Sequence, residues 1–115
     1  MPDVQFHPEA RVDLREAVEW YDANNSAKAD RLTEAIEKVI EELRDHPRRW
    51  PLIDSRYRIR PIAGFPFAVF YHESGNRIVI VAVSHSRRDQ AYWRGRTDAE
   101  VTDETADPYS KEDPM

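Results

Sequence analysis

The residue pattern predicts an α+β domain: an N-terminal helical hairpin packed on a small antiparallel β-sheet, followed by an acidic C-terminal tail. Three observations predict it. Apolar residues recur at helical spacing as far as Leu43, period-two and continuously apolar runs replace them between Arg56 and His85, and hydrophobic periodicity ends after Arg96.

Val4 to Phe6 is a short extended candidate. Pro8 follows where a first helical turn tolerates a missing N–H, so a helix is expected to begin there. Ala10, Leu14, Ala17, Val18 and Tyr21 form its apolar stripe, while Val12 and Trp20 lie off it; Trp20 and Tyr21 are nonetheless expected to complete the core beneath the sheet. Asp22 to Ser26 is a polar break. Leu32, Ala35, Ile36, Val39, Ile40 and Leu43 then give the clearest helical repeat in the chain, and His46-Pro47 ends it because the residue before proline is pushed out of the helical region.

Arg48 to Ser55 is a connector with Trp50 as its anchor to the core. In Arg56-Tyr57-Arg58-Ile59-Arg60 the alternation puts Tyr57 and Ile59 on one face of a strand and three arginines on the other, and Pro61 limits pairing at its end. Phe65 to His72 and Arg77 to His85 are two further strands, joined at Glu73-Ser74-Gly75-Asn76 by a tight hairpin turn. Ile78 to Val83 is apolar at every position, as a central strand covered on both faces would be. Residues 1–96 thus form one domain, and residues 97–115 are expected to be disordered.

The net charge of −5 is unevenly placed. Residues 1–47 carry 6 basic and 12 acidic groups, residues 48–96 carry 10 and 3, and residues 97–115 carry 1 and 7. A basic block of that kind can meet phosphate or an acidic partner although the whole chain is acidic. The absence of cysteine excludes a disulfide framework, a thiolate metal site and a cysteine nucleophile. No apolar stretch approaches the ~20 residues of a membrane span, and the N-terminus lacks the layout of a signal peptide, so the chain is expected in the cytoplasm. His7, His46, His72 and His85 have no ligand-like spacing, so neither a metal nor another cofactor is expected; His7 reads as a helix-start residue.

The order helix, helix, Trp50-Pro51, basic strand, Phe65-Pro66-Phe67 opening an aromatic-aliphatic strand, aliphatic strand, His85-Ser86-Arg87-Arg88-Asp89, Tyr92-Trp93 resembles the RelE/ParE family of toxins from type II toxin-antitoxin modules, and within it a ParE-type member. The resemblance spans about residues 3–96. It implies a RelE-like fold and a toxin of the plasmid-stabilisation type, held inactive by a cognate antitoxin. Two targets follow from it. Ribonuclease members cut ribosome-bound mRNA without metal, using cationic and phenolic side chains to orient the 2′-hydroxyl and stabilise the phosphate; ParE-type members poison DNA gyrase, which needs binding to a protein and no catalytic set.

On the ribonuclease pattern, Arg58 and Arg60 match the two basic residues of the first strand after the helices, Arg87 and Arg88 fall near the basic position beyond the last strand, and Tyr92 stands for the terminal tyrosine. His85, where an apolar strand meets a basic turn, has the residue type for acid-base work or for a structural hydrogen bond. The arginine that such ribonucleases carry in the next strand aligns with Ala68, so that role is vacant. The pattern fits the gyrase-directed group better. A binding module of the same fold without toxicity is the third reading.

Overall fold

The computed structural model describes residues 3–85 and 90–96. The elements run β1 (Asp3–Phe6), α1 (Pro8–Asn24), α2 (Ser26–Asp45), β2 (Arg58–Pro61), β3 (Phe67–Ser74), β4 (Arg77–His85) and a short α3 (Ala91–Arg94). The four strands form a single sheet in the order β1-β4-β3-β2. The helical hairpin covers one of its faces, as expected. The sheet is mixed: β2–β3–β4 is antiparallel, but β1 joins β4 in parallel, because the chain returns to β4 only after the whole hairpin and β2–β3 have intervened. The segments at 97–115 and 86–89, Arg87 and Arg88 among them, lie outside the described residues.

His7 starts α1. Its extended backbone lets Nδ1 accept the Glu9 N–H at 3.0 Å, and Pro8 occupies the first turn. The polar break between the helices contracts to one residue. Asn25, at φ −166°, donates its N–H to the Tyr21 carbonyl and accepts the Lys28 N–H at 3.2 Å through Oδ1, so it closes one helix and caps the next. The rest of the expected break, Asp22 to Asn24 and Ser26, is helical, and Asn25 supplies a partner to one end group of each helix.

Two hydrophobic clusters flank the sheet. The larger lies under the helices, where Leu14, Tyr21, Leu32, Ile36 and Leu43 meet Val69, Tyr71, Ile78, Ile80 and Val83. The smaller lies on the opposite face, where Trp93 of α3 covers Tyr57, Ala68, Phe70, Val79, Val81 and Ala82. β4 is therefore buried on both faces, as its uniform apolarity predicts. Trp93 packs with its ring centroid 5.0 Å from Phe70 and 4.8 Å from Tyr57. Trp20 departs from expectation: it is 61% exposed, and only its neighbour Tyr21 enters the core. It lies off the apolar stripe of α1 and so stays outside the core.

A β-bulge sets the registry of β4. Phe70 pairs with Ala82 and Tyr71 with Ile80, which leaves Val81 as the extra residue. Val81 and Ala82 consequently point to the same face, and Val83 returns to the helix side. Beyond Ile80 the outer edge of β4 has no strand beside it, since β1 ends at Phe6 and α1 begins. Side chains close that edge. Asp13 Oδ2 accepts the Val83 N–H at 3.2 Å, Arg96 Nη1 donates to the Val81 carbonyl at 2.7 Å, and the two side chains pair at 2.8 Å with only 6% and 9% of their surfaces exposed.

The sheet's other edge is closed differently. The Ile59 N–H donates to the Pro51 carbonyl at 3.1 Å, Pro61 offers no N–H, and Arg60 Nη1 donates to the Pro61 carbonyl. At the β3–β4 turn Gly75 adopts φ +62°, the sign that the first position of a two-residue hairpin turn of this kind requires, which glycine meets without strain.

Truncating one member of a buried ion pair strands the other, so Asp13→Ala is expected to lower unfolding free energy by about 3 kcal/mol. The exposed Glu19→Ala on the same helix is expected to stay within about 0.5 kcal/mol. Equal urea midpoints for the two variants would show that the Asp13–Arg96 pair does not hold the open edge of β4.

Candidate functional site

The basic strand begins at an aspartate turn. Asp54 Oδ1 accepts the N–H groups of Tyr57 at 2.9 Å and Arg56 at 2.8 Å, and Oδ2 meets Arg94 Nη1 at 2.5 Å. Those two backbone hydrogen bonds, with Arg94 adding to them, hold the Asp54 carboxyl down at about 2. The turn also breaks the strand alternation before Tyr57. Arg56 therefore does not share a face with Arg58 and Arg60: its Nη2 lies 3.3 Å from His72 Nε2, and its guanidinium lies 5.4 Å from the Tyr57 ring.

Arg58 and Arg60 stand opposite Tyr71 and Val69, on the helix side of the sheet's edge strand, and their guanidinium groups are engaged within the protein. Arg58 Nη1 donates to the carbonyls of Trp50 at 2.7 Å and Arg48 at 3.4 Å. Arg60 grips Glu42 Oε1 of α2 through Nη2 at 2.6 Å and Nε at 3.2 Å, and its guanidinium lies 4.8 Å from the Trp50 ring centroid. The hydrogen bond from Arg60 is the main cause that holds the Glu42 carboxyl below its ordinary value. Tyr71 completes this corner by donating its hydroxyl to the Pro47 carbonyl at 2.7 Å; burial pushes it up to about 12. The two arginines thus fasten the connector and α2 to the sheet.

Ala68 is fully buried in the cluster beneath Trp93, on the face opposite Arg58 and Arg60. The position that the ribonuclease pattern fills with an arginine is thus a methyl group in an apolar core. His85 closes β4 on the helix side, opposite Phe67, with ring centroids 6.2 Å apart. Tyr92, on α3, donates to Asp13 Oδ1 at 3.2 Å, and the Arg96 guanidinium lies 4.9 Å from its ring.

His85 and Tyr92 share a cleft of about 310 Å³ with Asp13, Trp20 and Phe67. Arg60 does not line it. It stands on β2, two strands from β4 and opposite Val83 through Val69, so at ~4.8 Å per strand the backbones are about 10 Å apart. The expected residues therefore divide into a tethered pair at the β2 edge and an aromatic pair at the end of β4. Arg87 and Arg88 lie outside the described residues.

Asp13, Glu42, Asp54 and Arg96 organise both places, and sequence reasoning did not single them out. The only signal at Asp13 is an acid directly beside the apolar stripe at Leu14. Glu42 and Arg60 are eighteen residues apart, and Asp13 and Arg96 eighty-three, so no local spacing announces either pair.

Arg60→Ala is expected to loosen the connector and lower stability by about 1 kcal/mol, the modest figure due to a pair still partly open to water. Tyr71 has a second, pH-dependent signature. A phenol raised from 10 to about 12 by folding adds stability that is complete below pH 10 and lost as pH climbs toward 12, because the unfolded chain ionises first. Unfolding free energy should fall across that window, and Tyr71→Phe should flatten the fall. An unchanged alkaline slope in Tyr71→Phe would refute the assignment.

Comparison with known proteins agrees with this architecture. The model of a family described as the ParE toxin of the type II toxin-antitoxin system parDE matches residues 4–90, which leaves Tyr92, Trp93 and Arg96 beyond the matched range. Among solved structures, a chain of the chromosomal ParDE toxin-antitoxin system from P. aeruginosa is similar, with a TM-score of 0.65 and 18% identity over 74% of this chain and 96% of that one. At that identity the likeness speaks for the fold. No curated protein matches the sequence.

Proposed function

Because the chain belongs to the ParE toxin family of type II toxin-antitoxin systems, we propose that this toxin acts by binding a protein, DNA gyrase, and that a cognate antitoxin neutralises it by covering the toxin surface. The observation that carries the proposal is the engagement of Arg58 and Arg60 by Trp50 and Glu42 together with the burial of Ala68. A metal-independent ribonuclease must present cations to the scissile phosphate and a group to protonate the leaving oxygen. Here the strand arginines hold protein carbonyls and a carboxylate, and the third cationic position is a methyl group.

Binding to a protein asks less of the toxin. It needs a rigid scaffold and exposed anchors, and Trp20 and Tyr92 are exposed aromatic groups of the type that dominates interface energetics. Among the described residues no helix is long and apolar enough to cross a membrane. The reading places the toxin with its target in the cytoplasm.

Induced expression without the antitoxin should arrest bacterial growth. The purified protein should block gyrase supercoiling and leave ribosome-bound mRNA intact. Cleavage of that mRNA would favour the endonuclease reading, and normal growth at high levels of folded protein would favour a non-toxic module.

A further inference from the structure

The basic block identified in the sequence is largely consumed at the β2 edge, and Arg48 beyond it is paired with Glu73 at 2.9 Å. Exposed positive charge remains on α2. Lys28, Arg31, Ala35 and Lys38 recur at steps of three and four, and this stripe lines a groove of about 380 Å³ against the β2–β3 loop. Arg31 and Lys38 are exposed, and Glu34 is the one acid among the described residues that line the groove. The floor is apolar: Ala35 and Phe65 are half-buried against the main core, and Lys28 Nζ lies 5.5 Å from the ring centroids of both Phe65 and Tyr21.

The chain past Arg96 has the opposite chemistry. Residues 97–115 carry 7 acidic groups and 1 basic group, and the family match, which ends at residue 90, does not include them. Within them Asp107 and Tyr109 are followed by Lys111, Glu112 and Asp113, so an aromatic side chain stands between carboxylates and beside the segment's one base.

The lengths agree with the charges. Arg96 is fixed to Asp13 at 2.8 Å, Asp13 to Tyr21 is about 12 Å of α1, and Lys28 adjoins the Tyr21 ring. Residues 97–106 can span up to about 33 Å, which brings Asp107 to the groove with length to spare. Lys28 to Lys38 covers about 15 Å of helix, and residues 107–113 laid out extended cover about 20 Å.

We propose that the groove receives the chain's own acidic C-terminal segment, residues 107–113, with Tyr109 over Ala35 and Phe65, carboxylates on Lys28, Arg31 and Lys38, and Lys111 toward Glu34. A segment tethered at Arg96 meets its site at a local concentration on the order of millimolar, so weak pairing suffices for occupancy. An acidic ligand from outside then enters the groove only by displacing the segment, which makes the contact autoinhibitory for that surface.

The chain has no cysteine, so Thr105→Cys gives the full-length protein a single site for a nitroxide label just ahead of the docking segment. In the amide NMR spectrum the label should broaden Arg31, Ala35, Gly64 and Phe65 and spare Ser74 and Gly75 at the far end of the sheet. That broadening should fall at least about threefold as salt rises from about 50 to about 500 mM. It should be lost in Lys28→Glu/Arg31→Glu/Lys38→Glu, with unchanged shifts of the sheet amides showing that the variant is folded. Adding Asp107→Lys/Glu112→Lys/Asp113→Lys to that variant should restore it. Groove amides left sharp in the unaltered groove at low salt, or broadening that survives the folded triple reversal, would overturn the assignment. Broadening passed to an unlabelled copy in a mixed sample would make a second chain the occupant and would overturn it as well.

Discussion

Asp13 and Arg96 meet across almost the whole length of the domain, at the stretch of β4 that β1 leaves without a neighbour. An unpaired strand edge buried beside a helix would leave backbone groups without partners, each at a cost of a few kcal/mol. Here a carboxylate from α1 takes the Val83 N–H, the Arg96 guanidinium takes the Val81 carbonyl, and the opposite charges offset each other's desolvation. The bulge at Val81 belongs to the same arrangement, because it sends Val81 and Ala82 together into the smaller core. Trp93 can cover that core only if the segment carrying it is held against the sheet, and Arg96, three residues on, holds it.

Positive charge in the domain falls into two kinds. Arg58 and Arg60 serve as braces: their donors are directed to fixed acceptors on the connector and α2, and Trp50 stacks against one of them. Such groups shape the fold and contribute little reach toward an external phosphate. Lys28, Arg31 and Lys38 lie instead along α2, lining an open groove with Ala35 and Phe65. The strand thus retains two arginines at the positions that match the ribonuclease pattern, and both are engaged by groups of the protein itself.

The aromatic residues divide in a similar way. Trp93, Trp50 and Tyr21 are absorbed by the two cores and the connector, whereas Trp20 and Tyr92 border the cleft at the end of β4. Tyr92 is tied to Asp13 and Arg96, so one rim of that cleft depends on the ion pair that closes the strand edge. Stability and surface presentation are thus coupled through the same few side chains.

Sequence alone determined the elements whose cause is local. The helical stripe from Leu32 to Leu43, the stop at His46-Pro47, the start at His7-Pro8, the Gly75 turn and the double-sided burial of β4 each follow from periodicity, capping or turn chemistry within a few residues. The order of motifs also marked the family. Tertiary structure decided the parallel placement of β1, the bulge, the outward turn of Trp20 and the fate of the arginines. Alternation correctly paired Arg58 with Arg60 but could not say that Glu42 and the Trp50 carbonyl would meet them, and it joined Arg56 to that face without knowing that Asp54 turns the chain. The physical reason is range. A helix or turn satisfies its hydrogen bonds from its own neighbours, whereas a charged side chain takes whichever partner the packed layers bring to it, and that choice exists only once the sheet and helices are in place.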